Sequence, residues 1–203
     1  MTSTLPPHRI LLPDVRQQPS PVKPAQVHDN PCDMDIFAWQ LFQMIRDSEH
    51  QQRAEMHCHP LLQAACRQWI SYMFSYQFFD HFHPVCESPN DLLRYLHYSL
   101  SPHYPTGPKA NNVQSLLGGQ VKVKDAYNGF LTSSPHYAHV FGRHEFYAQQ
   151  TEIGIAHLYI DGGVGGKLAG DHDAVTVFFS APPLPPRTDK EATWSRPAEG
   201  VRY

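Results

Sequence analysis

No stretch of about 20 consecutive apolar residues, the length a helix needs to cross a bilayer, occurs in the 203-residue chain. A transmembrane segment is therefore not expected. The opening residues MTSTLPPHRILLPDV have no basic region followed by an apolar core, so a standard secretory signal is not expected either. Basic charge is also scarce: 16 Lys+Arg stand against 19 Asp+Glu, with no basic run longer than a pair, which argues against a surface that tracks nucleic-acid phosphates. The four cysteines include no CxxC pair, and a chain of this size folds without staples, so free, mostly buried thiols are the expectation. There is no GxSxG elbow for an activated serine. The GGVGG run lacks the Lys-Ser/Thr ending and the following helix of a phosphate loop.

Proline and histidine, by contrast, are plentiful. Of 19 prolines, many crowd the two ends, where each fixes φ and removes a backbone donor. Residues 1–32 therefore read as a Pro-rich N-terminal arm, with Ile10, Leu11, Leu12 and Val15 as its apolar points. Residues 182–203 read as a second arm carrying Leu184, Trp194 and a PPLPP run suited to polyproline II. Such arms lose little entropy when they order against a neighbour, which makes protein partners and a larger assembly the expected use of them.

Between the arms, residues 33–181 carry one α+β domain. Asp33 or Asp35 caps a helix whose expected stripe is Phe37, Leu41 and Met44, widened by Ile36, Trp39 and Ile45. Pro60 opens a second helix along Leu62, Cys66, Trp69, Met73 and Tyr76, and Ser88 caps a short third one. Residues 101–119 are rich in Pro, Gly, Asn and Ser and read as loop; a helix over 123–131 follows. Then the period changes. EIGIAHLYID and AVTVFFS, joined by a glycine-rich linker, read as an antiparallel hairpin.

Among the 14 histidines, those of two polar segments that trail core helices stand out: Asp80-His81-Phe82-His83, with Cys86 close by, and Ser133-Ser134-Pro135-His136-Tyr137-Ala138-His139. Such segments can meet in one cleft and share a divalent ion such as zinc between their imidazoles. A second frame, His57 and His59 around Cys58 with Cys86, has the donors for zinc without a zinc-finger spacing. Cys66, inside an apolar stripe, reads as a core thiol; Cys86, or Ser133 or Ser134 beside His136, are the nucleophile candidates. Acidic pairs of the glycosidase kind are missing around both segments.

The order HPLLQAACRQWISYM, FFDHFHP, NNVQSLLGG, DAYNGFLTSSPHYAHVFG, EIGIAHLYI, AVTVFFSAP resembles the CAP superfamily, the domain shared by cysteine-rich secretory proteins, antigen-5, pathogenesis-related-1 and bacterial SCP-like proteins. The resemblance spans residues 36–181. His81 falls at the family's first cleft histidine and His136 at the histidine of its Ser-Pro-Gly-His-Arg segment, with Ser133 at that segment's serine and Phe130 at the usual tryptophan. Asn111 falls where the family has a glutamate, and asparagine cannot take a proton at neutral pH as a carboxylate can. The resemblance implies an α-β-α sandwich with a central antiparallel sheet and a cleft shared by His81 and His136. It implies binding more readily than catalysis. A non-enzymatic CAP-like binding or assembly module, part of a virion or extracellular assembly, is thus one expectation. The other is a metal- or histidine-dependent hydrolase of peptide, lipid or cell-wall material. There His81 and His136 hold zinc or act as base and acid, Asn111 orients water and Ser133 assists.

Overall fold

A computed structural model describes residues 30–83, 88–159 and 174–184. Cys86, the glycine-rich linker and nearly all of both arms lie outside the described residues. In chain order the elements are α1 (Ile36–Arg46), β1 (His57–Cys58), α2 (Pro60–Tyr76), α3 (Pro89–Tyr95), β2 (Gln114–Gly118), α4 (Val123–Thr132), α5 (Ser134–Val140), α6 (Glu145–Ala148), β3 (Glu152–Tyr159) and β4 (Ala174–Ala181).

The helix starts follow the local chemistry. Asp35 Oδ1 accepts from the Ala38 amide at 2.8 Å, Ser88 Oγ accepts from Asp91 N at 3.2 Å, and Pro60 occupies the first turn of α2. The buried face of α1 is Ala38, Leu41, Phe42 and Ile45, while Ile36 and Met44 are exposed. The expected stripe is therefore rotated: Ala38 packs as closely as any larger residue, and the i, i+3, i+4, i+7 line runs from it.

The four strands lie in the order β1-β3-β4-β2. The hairpin expectation holds: β3 and β4 pair antiparallel from Glu152↔Ala181 to Tyr159↔Ala174. On the other side of β4, β2 pairs antiparallel from Gln114↔Phe179 to Gly118↔Val175. The region read as loop thus contains a strand, because pairing with β4 outweighs the turn-prone composition on either side of QSLLG. The sheet is antiparallel except at one edge, where the two residues of β1 run parallel to β3. It is therefore mixed.

All eight residues of β4 are buried, and their alternation builds two cores. Phe178 joins Ile153 and Ile155 under α1, α4 and α5; Val175, Val177 and Phe179 join Ala156 under α2 and α3. Helices covering both faces of one sheet make an α-β-α sandwich, and they explain why AVTVFFS is apolar without alternation.

Cys32 and Cys58 form a disulfide across a separation of 26 residues, correcting the expectation of free thiols for this pair. It ties the end of the N-terminal arm to the edge strand β1. No recognised spacing announces it, since the two cysteines meet only through the packing of α1 on the sheet. Cys66 is a buried free thiol, its ionisation suppressed by burial, as expected of a core cysteine. Reducing the protein is expected to lower its unfolding free energy by about 3.5 kcal/mol, the loop-entropy value for a closed loop of this size. Urea unfolding with and without reductant measures it, and coincident curves would contradict the clamp.

Candidate functional site

The end of α2 sets the first histidine. Gln77 leaves the helix in the left-handed region (φ 53°), Trp69 Nε1 donates to the Asp80 carbonyl at 3.2 Å, and Asp80 Oδ1 accepts from the Phe82 amide at 3.2 Å. This turn aims His81 at β2, where its Nδ1 meets Gln114 Oε1 at 2.9 Å. The second histidine comes from a segment that is helix rather than loop. Pro135 sits in the first turn of α5, and the His136 ring meets Phe130 edge-on, with centroids 5.6 Å apart.

These side chains border one cleft of about 210 Å³, lined by His81, Asn111, Gln114, Ser115, His136 and Tyr147 among others. Three of the four expected residues, His81, Asn111 and His136, are thereby brought together. Ser133 is not in the lining: it closes α4 and precedes α5. Asn111 borders the cleft with its polar atoms already engaged. Its Oδ1 accepts from Val113 N at 3.3 Å and Gln114 N at 3.0 Å, and its Nδ2 donates to the Gln114 carbonyl at 3.2 Å. It shapes the turn into β2, and one amide N–H remains beyond the bonds that hold that turn.

Beneath the cleft lies a buried polar relay whose proton positions follow from counting donors. Gln150 Nε2 donates to Tyr104 Oη at 3.0 Å and to the Asn112 carbonyl at 2.9 Å, which turns its Oε1 toward the Ser180 hydroxyl at 2.6 Å. With its hydrogen committed there, Ser180 Oγ accepts from His139 Nε2–H at 2.8 Å. His139 Nδ1 is then unprotonated and accepts from Ser115 Oγ at 2.7 Å. A serine donating to a bare imidazole nitrogen has the outline of a nucleophile pair. Its base is poorly suited to that role. Burial holds the His139 pKa well below its ordinary value, and the Arg53 guanidinium lowers it further.

Arg53 lies beside the relay, 5% exposed. It donates from Nε to the Gln150 carbonyl at 2.7 Å, from Nη1 to the Val140 carbonyl at 2.7 Å and from Nη2 to the His139 carbonyl at 2.6 Å. Burial lowers its pKa to about 9, which leaves it charged at neutral pH. Among the described residues no carboxylate pairs with it. No sequence signal marks Arg53 or Gln150, isolated polar residues in connecting segments, and Gln114 reads as part of an Asn/Gly-rich loop.

The donor set bears on zinc. Catalytic zinc sites commonly use three protein ligands, and among the described residues no group of three or more His, Cys, Asp or Glu is placed to hold a metal ion. The cleft offers His81 and His136, since His139, the third histidine of the lining, has both ring nitrogens engaged by Ser115 and Ser180. The alternative frame around Cys58 loses its thiolate to the disulfide, and His59 is engaged as the cap of α2, accepting from Leu61 N at 3.2 Å.

Burial lowers the pKa of His59, His136, His139 and His157. Each is depressed in the folded state, so the unfolded chain takes up more protons below the ordinary histidine value of about 6.5. Their contribution is complete above that pH and is lost as pH falls. The urea midpoint is expected to drop between pH 7 and 5, and His139→Gln to flatten that slope. A midpoint that holds or rises on acidification would contradict the neutral buried imidazoles.

The chain matches no family model and no curated protein. Among solved structures it is similar to an outer surface protein from Borrelia burgdorferi, at 13% identity over 72% of this chain and 87% of that one, with a TM-score of 0.45. It is also similar to an extracellular protein containing an SCP domain from Bacillus anthracis str. Ames, at 14% identity over 70% of this chain and 40% of that one, with a TM-score of 0.49. The α-β-α description rests on the two cores of the chain itself, and these faint likenesses stand beside it.

Proposed function

We propose that this chain is a non-enzymatic, CAP-like binding and assembly module: the cleft receives a small polar group and the proline-rich arms engage neighbouring proteins. The observation that carries the reading is the composition of the cleft wall. Three imidazoles, those of His81, His136 and His139, line it with several amides and hydroxyls, and no Asp or Glu does, so proton transfer lacks the carboxylate that usually orients or partners a catalytic imidazole. The hydrolase reading keeps its two histidines and lacks its serine at the cleft.

The Cys32–Cys58 disulfide favours an oxidising compartment, which suits an extracellular or virion assembly. It also sits where the N-terminal arm joins the domain, so a load on that arm would pass directly to the sheet. Purified protein without a histidine tag tests the reading. It should show no metal-dependent turnover in an unbiased hydrolysis screen, and it should enter a larger complex when mixed with extract from its source. A monomer in extract, or turnover lost in His136→Asn, would overturn the reading.

A further inference from the structure

The geometry assigns to this cleft a ligand bearing a carboxylate. The inference rests on the binding reading above and names the chemistry that the site accepts. Two buried side-chain atoms of the lining have no hydrogen-bond partner: Gln114 Nε2 and His136 Nδ1. Gln114 is 4% exposed, and its other polar atom is already committed to His81. What it leaves unsatisfied is therefore an NH2 group that can only donate. Such a donor is costly to leave buried and unpaired, and an incoming oxygen satisfies it.

Charge selects among oxygen ligands. Arg53 stands directly behind His139, a lining residue, with no acidic partner among the described residues. The lining itself contains no Asp or Glu. An unbalanced buried cation behind a wall of neutral donors favours one negative charge and disfavours a second cation, since electrostatic interactions gain strength as water is excluded. Tyr147, kept protonated by burial, adds a hydroxyl donor to the same wall. A two-oxygen anion can bridge Gln114 Nε2 and a protonated His136 Nδ1, whereas a neutral amide offers one acceptor and brings donors of its own.

Two-dimensional NMR of the intact protein, titrated with N-acetylglycine, its neutral counterpart N-acetylglycinamide, sodium acetate and zinc chloride, tests the inference. N-acetylglycine should shift the resonances of His81, Gln114 and His136 at concentrations at least ten-fold below the amide. Acetate matching it identifies a free small acid as the source; acetate binding more weakly identifies a peptide C-terminus. Gln114→Glu, which keeps the shape and exchanges the NH2 donor for a charged oxygen, should weaken the acid at least ten-fold. Equal binding of acid and amide, or shifts from zinc alone, would overturn the carboxylate and leave the cleft a binding site. No ligand shifting the cleft would remove both. The comparison of acid with amide is made on the wild-type protein and stands even if the variant does not fold.

Discussion

Gly154→Ala is expected to cost more than about 3 kcal/mol and to leave little folded protein. A methyl group at residue 154 of β3 would meet the carbonyl carbon and oxygen of Leu62 and come within 2.6 Å of the Gln63 nitrogen, all backbone atoms of the first turn of α2. Backbone cannot rotate aside as a side chain does. Relief requires α2 to lift from the sheet, and α2 carries Leu62, Ala65, Cys66, Trp69 and Met73 into the core. The same contact is fastened by the Ile155 amide donating to Gln63 Oε1 at 3.0 Å, which lifting would also break. Overpacking usually costs about 1–3 kcal/mol, and a clash with fixed backbone belongs above that range.

Gly129→Ala is the matched control. There the new methyl meets only the Leu117 side chain, at 3.1 Å, and alanine in the α4 interior gains helix propensity of about 1 kcal/mol. Urea unfolding of the two variants should therefore diverge sharply. Near-native stability in Gly154→Ala would show that α2 does not pack on β3 as described.

Arg53→Met is expected to destabilise the protein by about 3 kcal/mol or more, since three buried carbonyls each left without a donor cost about 1–3 kcal/mol apiece. The substitution keeps much of the side chain's bulk and deletes the fork, so the carbonyls of His139, Val140 and Gln150 lose their donors inside the protein. Arg53→Lys should recover little: one ammonium cannot meet three carbonyls that are served by three separate guanidinium nitrogens. The readout is the urea midpoint of the three proteins. Recovery by lysine, or a loss under about 1 kcal/mol in the methionine variant, would contradict the role assigned to the fork.

Much of this fold is legible in the sequence because its signals are local. Asp35, Pro60 and Ser88 mark helix starts through caps that need no tertiary context, and the β-branched run of β4 beside that of β3 announces a pair. What stays hidden depends on distant neighbours. QSLLG becomes a strand only because β4 offers it an edge, and Cys32 finds Cys58 only once α1 lies on the sheet. The site divides in the same way. His81 and His136 are visible as polar punctuation after helices, and the structure brings them to one cleft. Ser133 stands in extended backbone between α4 and α5 and is not among the residues that line the cleft. Arg53, Gln114, Gln150 and Ser180 act through hydrogen bonds spanning 30 or more residues, a relation that no window along the chain displays.

The central claim is that the cleft between β2 and α5 binds without reacting. Its most direct test follows one sample over days, recording the imidazole resonances of His81 and His136 together with the signals of added N-acetylglycine and of a peptide and an ester mixture. Saturable, reversible shifts are expected at both histidines while every added compound persists unchanged. Consumption of a compound by wild-type protein, abolished in His136→Asn, would contradict it.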